Sequence, residues 1–174
     1  MILSDVDLKK LVEQGYLPPG LNIGPSSVDL TLSNSFSWLM PKEEKIILGN
    51  EVSYQSIESD TFTIQANQFI LASTEEFIRV PDDMAAYVEG RSSVGRLGLQ
   101  VQNASFIDGG FHGKITLELE NQSGYPIELR AGIRICQIVY FNMTTSAESP
   151  YHGKYNNQDR ATPSRLDQDF DIQH

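Results

Sequence analysis

Two arginines and two serine hydroxyls lie within six residues of each other in segment 91–96, which glycines flank at Gly90 and Gly98. Guanidinium forks, hydroxyls and the backbone N–H groups of a tight glycine turn together suit the oxygens of a phosphate chain. The spacing is not that of a Walker loop. From composition alone, a polar turn between strands explains these residues equally well.

A second candidate for chemistry is the alternating run 115–120, which follows the turn-rich segment 102–113. In a strand, Thr116, Glu118 and Glu120 would share one face, opposite an apolar face. On a solvated face Glu118 would have no special role, but in a cleft it is a candidate general acid and base. Asp108 is either an ordinary turn residue or part of the same site.

Zinc chemistry is disfavoured by the residue types. Nucleobase deaminases that use zinc need a His-x-Glu and a Cys-x-x-Cys, whereas this chain has a single cysteine, Cys136. The three histidines, His112, His152 and His174, follow no ligand spacing. Cys136 lies in an apolar run, so we expect a buried, inert thiol.

Length and charge narrow the class of protein further. A chain of 174 residues with 40% hydrophobic residues suits one domain with one core. The net charge of -10 argues against nucleic acid as a partner. No apolar run reaches the roughly 18 residues of a membrane span, and the N-terminus has no signal-peptide pattern. We expect a cytoplasmic protein that binds neither nucleic acid nor a membrane.

The elements that must position these residues are mostly short strands. A helix is expected first, with Ser4 as its cap and Gly15 at its end. Apolar runs separated by turn residues then predict a sandwich, jelly roll or barrel. The expected strands are 28–32, 36–39, 45–48, 61–64, 69–72, 77–80, 85–88, 97–101, 115–119 and 133–141. Segment 41–60 is a long hairpin or a loop.

The polar segment from residue 142 onward allows two interpretations. It resembles a disordered terminus in composition. It also carries aromatic, basic and amide side chains suited to covering a charged ligand. These are Tyr151, Lys154, Tyr155, Gln158 and Arg165.

Five segments in order resemble the dCTP deaminase branch of the dUTPase-like superfamily. The loop at 89–98 resembles its phosphate-binding motif and is the most specific of the five. The other four are 25–32, 102–121, 132–137 and the lid-like stretch 150–155 with Gln158.

The resemblance implies a mainly β, dUTPase-like distorted β-barrel or jelly roll with a short N-terminal helix. It implies a single domain over 1–174, with 142–174 as a lid or tail. It further implies a homotrimer with active sites between subunits, dCTP or dUTP as substrate and dTTP as an inhibitor. Deamination would need no metal, and Mg²⁺ would be held mainly by the triphosphate.

Site residues follow from the resemblance by position. Glu118 matches the catalytic glutamate, Arg96 the arginine that orients it, and Asp108 the aspartate near the deoxyribose. The phosphate and pyrimidine contacts are matched by Arg91, Ser92, Ser93, Val94, Gly95, Thr116, Leu117 and Gln137. Lid contacts are matched by Tyr151, Lys154 and Gln158.

The activity expected within the family is the bifunctional one, from dCTP to dUMP, diphosphate and ammonia. Glu118 favours deamination over a plain dUTPase activity. Segment 104–108 resembles the corresponding segment of the bifunctional, dUMP-forming enzymes. Ser105 and Gly109 depart from that pattern, and Gly109 predicts a looser turn around Asp108. A deaminase that releases dUTP, a dUTPase and, more remotely, a non-catalytic nucleotide-binding barrel remain the alternatives.

Overall fold

A computed structural model of the chain describes residues 1–102 and 106–169. Strands make up 39% of it and helices 10%, and the main sheet curls into a half-barrel, which confirms the predicted mainly β, dUTPase-like fold. The helices are α1 (Asp5–Glu13), α2 (Ser92–Gly95) and a 3-10 turn at Leu166–Gln168. The strands are β1 (Val28–Leu39), β2 (Tyr54–Glu58), β3 (Thr61–Ile64), β4 (Phe69–Thr74), β5 (Ile78–Arg79), β6 (Met84–Gly90), β7 (Leu99–Gln102), β8 (Phe106–Ile107), β9 (His112–Gly113), β10 (Thr116–Asn121), β11 (Ile127–Arg130) and β12 (Arg134–Asn142).

The main sheet has the strand order β7-β10-β4-β1-β12-β6-β8, and β2 adds to β1. All of these pairs are antiparallel. The first half of β1 pairs with β12 and the second half with β2 and β4, with a break in register between Leu30 and Thr31. This long strand therefore connects the part of the sheet formed by β12 and β6 with the part formed by β4 and β10. Both parts carry predicted site residues.

The hydrophobic core lies inside the curl and explains the alternation along the strands. Leu30, Leu32 and Phe36 of β1 are fully buried, as are Leu117 and Leu119 of β10. Removing such side chains from water supplies the main driving force for folding. The opposite positions on β10 stay partly open and are available for a site.

The N-terminal helix begins and ends near the expected residues. Leu8 and Leu11 bury its apolar face, and Gly15 adopts a φ of 77° just past its end. A positive φ favours glycine, so the predicted stop is confirmed. Ser4 takes the N-cap position without a side-chain hydrogen bond to the helix.

Several strand predictions differ from the structure. The expected strands 28–32 and 36–39 form one continuous strand, and the prediction of a strand at 45–48 is wrong, because these residues lie in turns. Ile46, Ile47 and Leu48 are exposed there. An apolar run forms a strand only where a neighbouring strand can pair with it. In segment 41–60, it is Tyr54–Glu58 that pairs with β1.

The C-terminal segment packs against the domain as far as it is described. Its backbone donates hydrogen bonds from Met143 to Asp83, from Tyr151 to Gly109 and from Asn157 to His112. The described part of the tail therefore packs against the domain, and its role as a cover over a ligand stays a prediction. Among the described residues, no helix is long and apolar enough to cross a membrane.

Candidate active site

One cavity of about 550 Å³ lies between the β10 face and the C-terminal segment. Five of the residues predicted for the site line it, namely Asp108, Thr116, Glu118, Tyr151 and Gln158. Its size falls within the range of pockets that hold a small molecule. The structure thus brings together residues that lie up to 50 positions apart in the sequence.

Glu118 reaches the cavity because strand alternation directs Leu117 and Leu119 into the core. It sits between Leu71 of β4 and Gln102 of β7 on the same face. Among the residues that the structure describes, its carboxylate has no hydrogen-bond or ion-pair partner. Burial raises the pKa of this carboxyl group, because the surrounding walls disfavour its charged form. Glu118 is therefore available to exchange a proton with a bound molecule.

Glu120, the next residue on the same face, is placed differently. Its carboxylate accepts hydrogen bonds from the side-chain amides of Gln102 and, at 3.0 Å, of Gln122. It does not line the cavity. The two glutamates therefore share a strand face, but one is held by amides and the other is open to a ligand.

Asp108 lines the cavity from a turn that follows β8. Close packing fixes this turn: a Cβ on Gly109 would lie 2.7 Å from the carbonyl oxygen of Met84. The Gly110 N–H also donates to Val80 at 2.9 Å. Gly109 thus permits a close backbone approach, in contrast to the looser turn that the sequence predicted. Ala104 and Ser105 lie outside the described residues.

Thr116 links the start of β10 to the tail. Its hydroxyl donates to the Gln158 side chain at 3.3 Å and accepts the Thr162 backbone N–H at 3.1 Å. Leu117, predicted to contact the pyrimidine, is fully buried and can reach the cavity only through its backbone. Tyr151 packs against Phe111, with ring centroids 6.1 Å apart.

Lys154 lies in the lid but does not line the cavity. Its ammonium group donates to the Asp169 carboxylate and, at 2.8 Å, to the Arg165 carbonyl. It also stands 5.5 Å from the centre of the Tyr155 ring. The predicted phosphate contact is therefore occupied by the tail itself.

Arg91 of the predicted phosphate loop belongs to a second group of residues, which we call the arginine cluster. Its members are Asn22, Ser27, Asp29, Arg91, Arg134 and Gln137. The Asp29 carboxylate meets Arg91 at 3.3 Å and Arg134 at 2.9 Å. It also accepts the Asn22 amide at 2.8 Å. The side chain of Asp29 is only 11% exposed, so two guanidinium groups compensate a largely buried charge.

The remaining members of the predicted loop lie beside the arginine cluster. Arg91 precedes α2, and Ser92, Ser93, Gly95 and Arg96 are exposed. Val94 packs partly against the core. Within the arginine cluster itself, Gln137 accepts a long hydrogen bond of 3.4 Å from Ser27. None of these residues lines the cavity around Glu118.

The sheet register separates this loop from the cavity within one chain. The Gln122 N–H donates to the carbonyl of Gly98 at 2.8 Å, so the residues just after α2 meet the far end of β10. Glu118 lies four residues back along this strand, or roughly 13 Å at the strand rise. Within one chain, the structure therefore does not bring Arg96 to Glu118.

Tyr54 and Asp29 are among the residues of these two regions that were not predicted to have a role. Tyr54 lines the cavity from β2, in the segment whose pattern was ambiguous. Asp29 organises the arginine cluster, and its position in motif 25–32 was the only signal for it. Within residues 1–102 and 106–169, no group of three or more His, Cys, Asp or Glu side chains could hold a metal ion.

Comparison with known proteins gives consistent results. Residues 2–143 match the family model described as dCTP deaminase-like. A protein of Persephonella marina named dCTP deaminase, dUMP-forming is 43% identical over 98% of this chain and all of its own length. One of Aquifex aeolicus with the same name is 39% identical over 99% of this chain and 98% of its own. The crystal structure of 2'-deoxycytidine 5'-triphosphate deaminase from Agrobacterium tumefaciens shares the fold, with a TM-score of 0.61 at 22% identity over 80% of this chain and 47% of that one.

Proposed function

The chain belongs to the dCTP deaminase-like family, and we propose that it hydrolyses dCTP to dUMP, diphosphate and ammonia. The observation that carries this proposal is the half-buried Glu118 carboxylate, which no described residue pairs with, in a nucleotide-sized cavity that Asp108 also lines. The names of the full-length relatives support the same reaction.

In the deamination step, water adds to C4 of the cytosine ring. Glu118 takes a proton from this water and delivers it to the amino group, so that the C4–N bond breaks and ammonia leaves. The remaining hydroxyl proton passes to N3 of the ring as the uracil carbonyl forms. A carboxyl group whose pKa is raised by burial suits this shuttle, because its carboxylate form holds a proton more tightly than an exposed carboxylate does.

In the second step, Asp108 activates the water that attacks the α-phosphate, and diphosphate leaves with dUMP as the other product. The packed turn around Gly109 supports this role, since close packing fixes the backbone that carries Asp108 at the cavity wall. Thr116 and Gln158 would contact the nucleoside from the opposite side.

The triphosphate would be bound by the arginine cluster and the adjoining Ser92 and Ser93 hydroxyls of a neighbouring copy in a homotrimer. The separation of Arg96 from Glu118 within one chain supports this arrangement, because no lysine or arginine is among the described residues that line the cavity. In the trimer, Arg96 of the next copy would orient Glu118, and Lys154 would turn from Asp169 toward the phosphates.

Magnesium would enter with the nucleotide. The described residues offer no ligand set for a resident ion, and a hard cation such as Mg²⁺ prefers the oxygens of a triphosphate. The deamination would use protein side chains alone. A second pyrimidine triphosphate, dTTP, would compete for the same cavity without being deaminated, because its ring has no amino group at C4.

A product assay tests the proposal. Purified protein is incubated with dCTP and Mg²⁺, and nucleotides are resolved over time. We expect dUMP, diphosphate and ammonia in equal amounts without free dUTP. Accumulating dUTP would indicate a deaminase alone, cleavage of added dUTP without loss of dCTP would indicate a dUTPase, and saturable binding without turnover would indicate a non-catalytic barrel.

A further inference from the structure

The tail lies along β9 in the manner of an added strand. The Asn157 N–H donates to the carbonyl of His112 at 2.8 Å, and the Lys114 N–H donates to the carbonyl of Gln158 at 2.8 Å. The N–H of His112 donates instead to a side chain, the Oδ1 of Asn156, at 3.1 Å. Asn157 has a φ of 62°, so the tail leaves the extended conformation at that residue. The side-chain oxygen of Asn156 therefore takes the place of a main-chain acceptor beside β9.

The nitrogen of the same amide holds Tyr151. The Nδ2 of Asn156 donates to the carbonyl of Tyr151 at 2.9 Å, and the N–H of Tyr151 donates to the carbonyl of Gly109 at 2.8 Å. The hydroxyl of Tyr151 accepts the N–H of Tyr155 at 3.2 Å. Tyr151 is thus fixed at both polar groups of its main chain and at the end of its ring. Gly109 follows Asp108 directly, so these bonds connect the tail to the turn that carries Asp108.

The two partners of Asn156 require an amide. A backbone N–H needs an acceptor and a carbonyl needs a donor, and one orientation of the amide supplies both. An ionised aspartate has only acceptors, so it would keep the bond from His112 and set a carboxylate oxygen against the carbonyl of Tyr151. An alanine would satisfy neither partner.

Close packing around Tyr151 leaves its ring little freedom as long as the loop 151–156 stays in place. A Cβ on Gly153 would lie 2.5 Å from atoms of the Tyr151 side chain, and a Cβ on Gly110 would lie 2.8 Å from the Tyr151 nitrogen. The ring faces Phe111 with centroids 6.1 Å apart, and both rings line the cavity. The position of this part of the wall therefore depends on how the loop is fastened.

We propose that Asn156 is a positioning residue, whose side-chain amide fastens the loop 151–156 to β9 and so holds the Tyr151 ring at the cavity wall beside Phe111. Asn156 does not itself line the cavity and acts through Tyr151. The proposal rests on the proposed function only for its effect on dCTP, because the placement of the loop does not depend on the reaction.

Two substitutions separate the two bonds. Asn156→Ala removes both, whereas Asn156→Asp keeps the acceptor for His112 and loses the donor to Tyr151. Asn157→Gly is the matched control, since Asn157 is the exposed neighbour and glycine accepts its positive φ without strain. All three variants are prepared in the full chain.

Hydrogen exchange of single amides, measured by NMR without nucleotide, tests the bond to His112. We expect the His112 amide to exchange about fivefold faster in Asn156→Ala, the factor that corresponds to one hydrogen bond of about 1 kcal/mol. It should stay near the parent rate in Asn156→Asp and in Asn157→Gly. Amides of β12 in the core should be unchanged in all variants. An unchanged rate for His112 in Asn156→Ala would overturn the proposal.

The nuclear Overhauser effect between the ring protons of Phe111 and Tyr151 tests the bond to Tyr151. We expect it to weaken in Asn156→Ala and Asn156→Asp and to persist in Asn157→Gly. Its persistence in both Asn156 variants would overturn the proposal, because the ring would then keep its place without the amide.

Kinetics with dCTP test whether the placement of the ring matters to a substrate. KM should rise about fivefold in Asn156→Ala with a smaller change in kcat, because the loop would then have to be ordered when the nucleotide binds. An unchanged KM together with a weakened ring contact would overturn the positioning role. A parent protein that does not turn over dCTP would contradict the proposed function alone, since the two NMR measurements need no turnover.

Discussion

The arginine cluster contains a largely buried carboxylate, Asp29, and the cavity contains a half-buried one, Glu118. The two carboxylates differ in their partners. Asp29 contacts two guanidinium groups and an amide. Glu118 has no partner among the described residues and is covered by the tail of its own chain. A carboxylate that is paired with guanidinium groups holds these cations in place. A partly buried carboxylate without such a partner can instead bind and release a proton.

The two regions also differ in which part of a nucleotide site each of them supplies. The residues that line the cavity come from several strands and from the tail that covers it, and none of the described lining residues is a lysine or an arginine. The same chain presents the serines and arginines of segment 91–96 on its exposed surface. A closed cyclic oligomer joins such separate halves, because each copy offers one half to each neighbour.

The largest effect is expected from Glu118→Gln. The amide keeps the shape of the side chain but cannot carry a proton, so deamination of dCTP should fall by roughly 10²- to 10⁴-fold. Release of ammonia from dCTP measures this, and cleavage of added dUTP should persist, since it depends on Asp108.

Glu120→Gln is the matched control on the same strand face. Its carboxylate already lies between two glutamine amides and outside the cavity, so its deamination rate should stay within about threefold of the parent. If the two variants lost activity equally, the distinction drawn between the two glutamates would be wrong.

The sequence predicted the cavity face well because strand alternation is local. Burial along β10 alternates as expected, and the carboxylate of Glu118 therefore points away from the core. Tyr54 could not be predicted in this way. β2 is partly or fully exposed throughout and has no apolar period, and it forms because its backbone pairs with β1.

The serines of β1 show a second limit of prediction from sequence. Ser33, Ser35 and Ser37 are buried, where a polar run would normally predict exposure. Each is satisfied by a distant group: Ser73, the Ala161 backbone and Ser56, respectively. Such partners are set by the tertiary structure and not by the local sequence. The separation between the cavity and the arginine cluster likewise follows only from the three-dimensional structure.

A smaller effect is expected from Asp29→Asn. The change would remove the charge that holds Arg91 and Arg134, and each guanidinium would lose the fixed position that the proposed phosphate contact requires. We expect KM for dCTP to rise about tenfold, as for the loss of one charge-assisted hydrogen bond, with a smaller change in kcat.

Asp7→Asn is the control for this variant, since Asp7 also pairs with a cation but lies exposed on α1. Steady-state kinetics of ammonia release compare the two. An unchanged KM in Asp29→Asn would show that Asp29 does not prepare the arginine cluster for phosphate.

Mixing variants tests whether the two regions meet between copies. Glu118→Gln and Arg91→Ala are each expected to be strongly impaired alone. When they are co-expressed in equal amounts in a homotrimer, about a quarter of the sites would combine an intact Glu118 with an intact Arg91 from the next copy. Activity should therefore recover to about a quarter of the parent value. No recovery in verified mixed oligomers would mean that each site is built within one chain.

The smallest effect concerns stability. It follows from the lack of a hydrogen-bond or ion-pair partner for the Glu118 carboxylate among the described residues. Its pKa in the folded chain lies above the ordinary value of 4.5, so the folded state binds the proton more tightly than the unfolded state does. This contribution to stability is complete below the ordinary pKa and is lost as the pH rises through the raised pKa. At neutral pH the buried charge therefore opposes folding.

Glu118→Gln should raise the melting temperature by a few degrees at pH 7 and by little at pH 4, as measured by thermal denaturation. Glu120→Gln should show no such gain, because its carboxylate is compensated by two amides. A lower melting temperature for Glu118→Gln at pH 7 would indicate that Glu118 has a stabilising partner in the assembled protein.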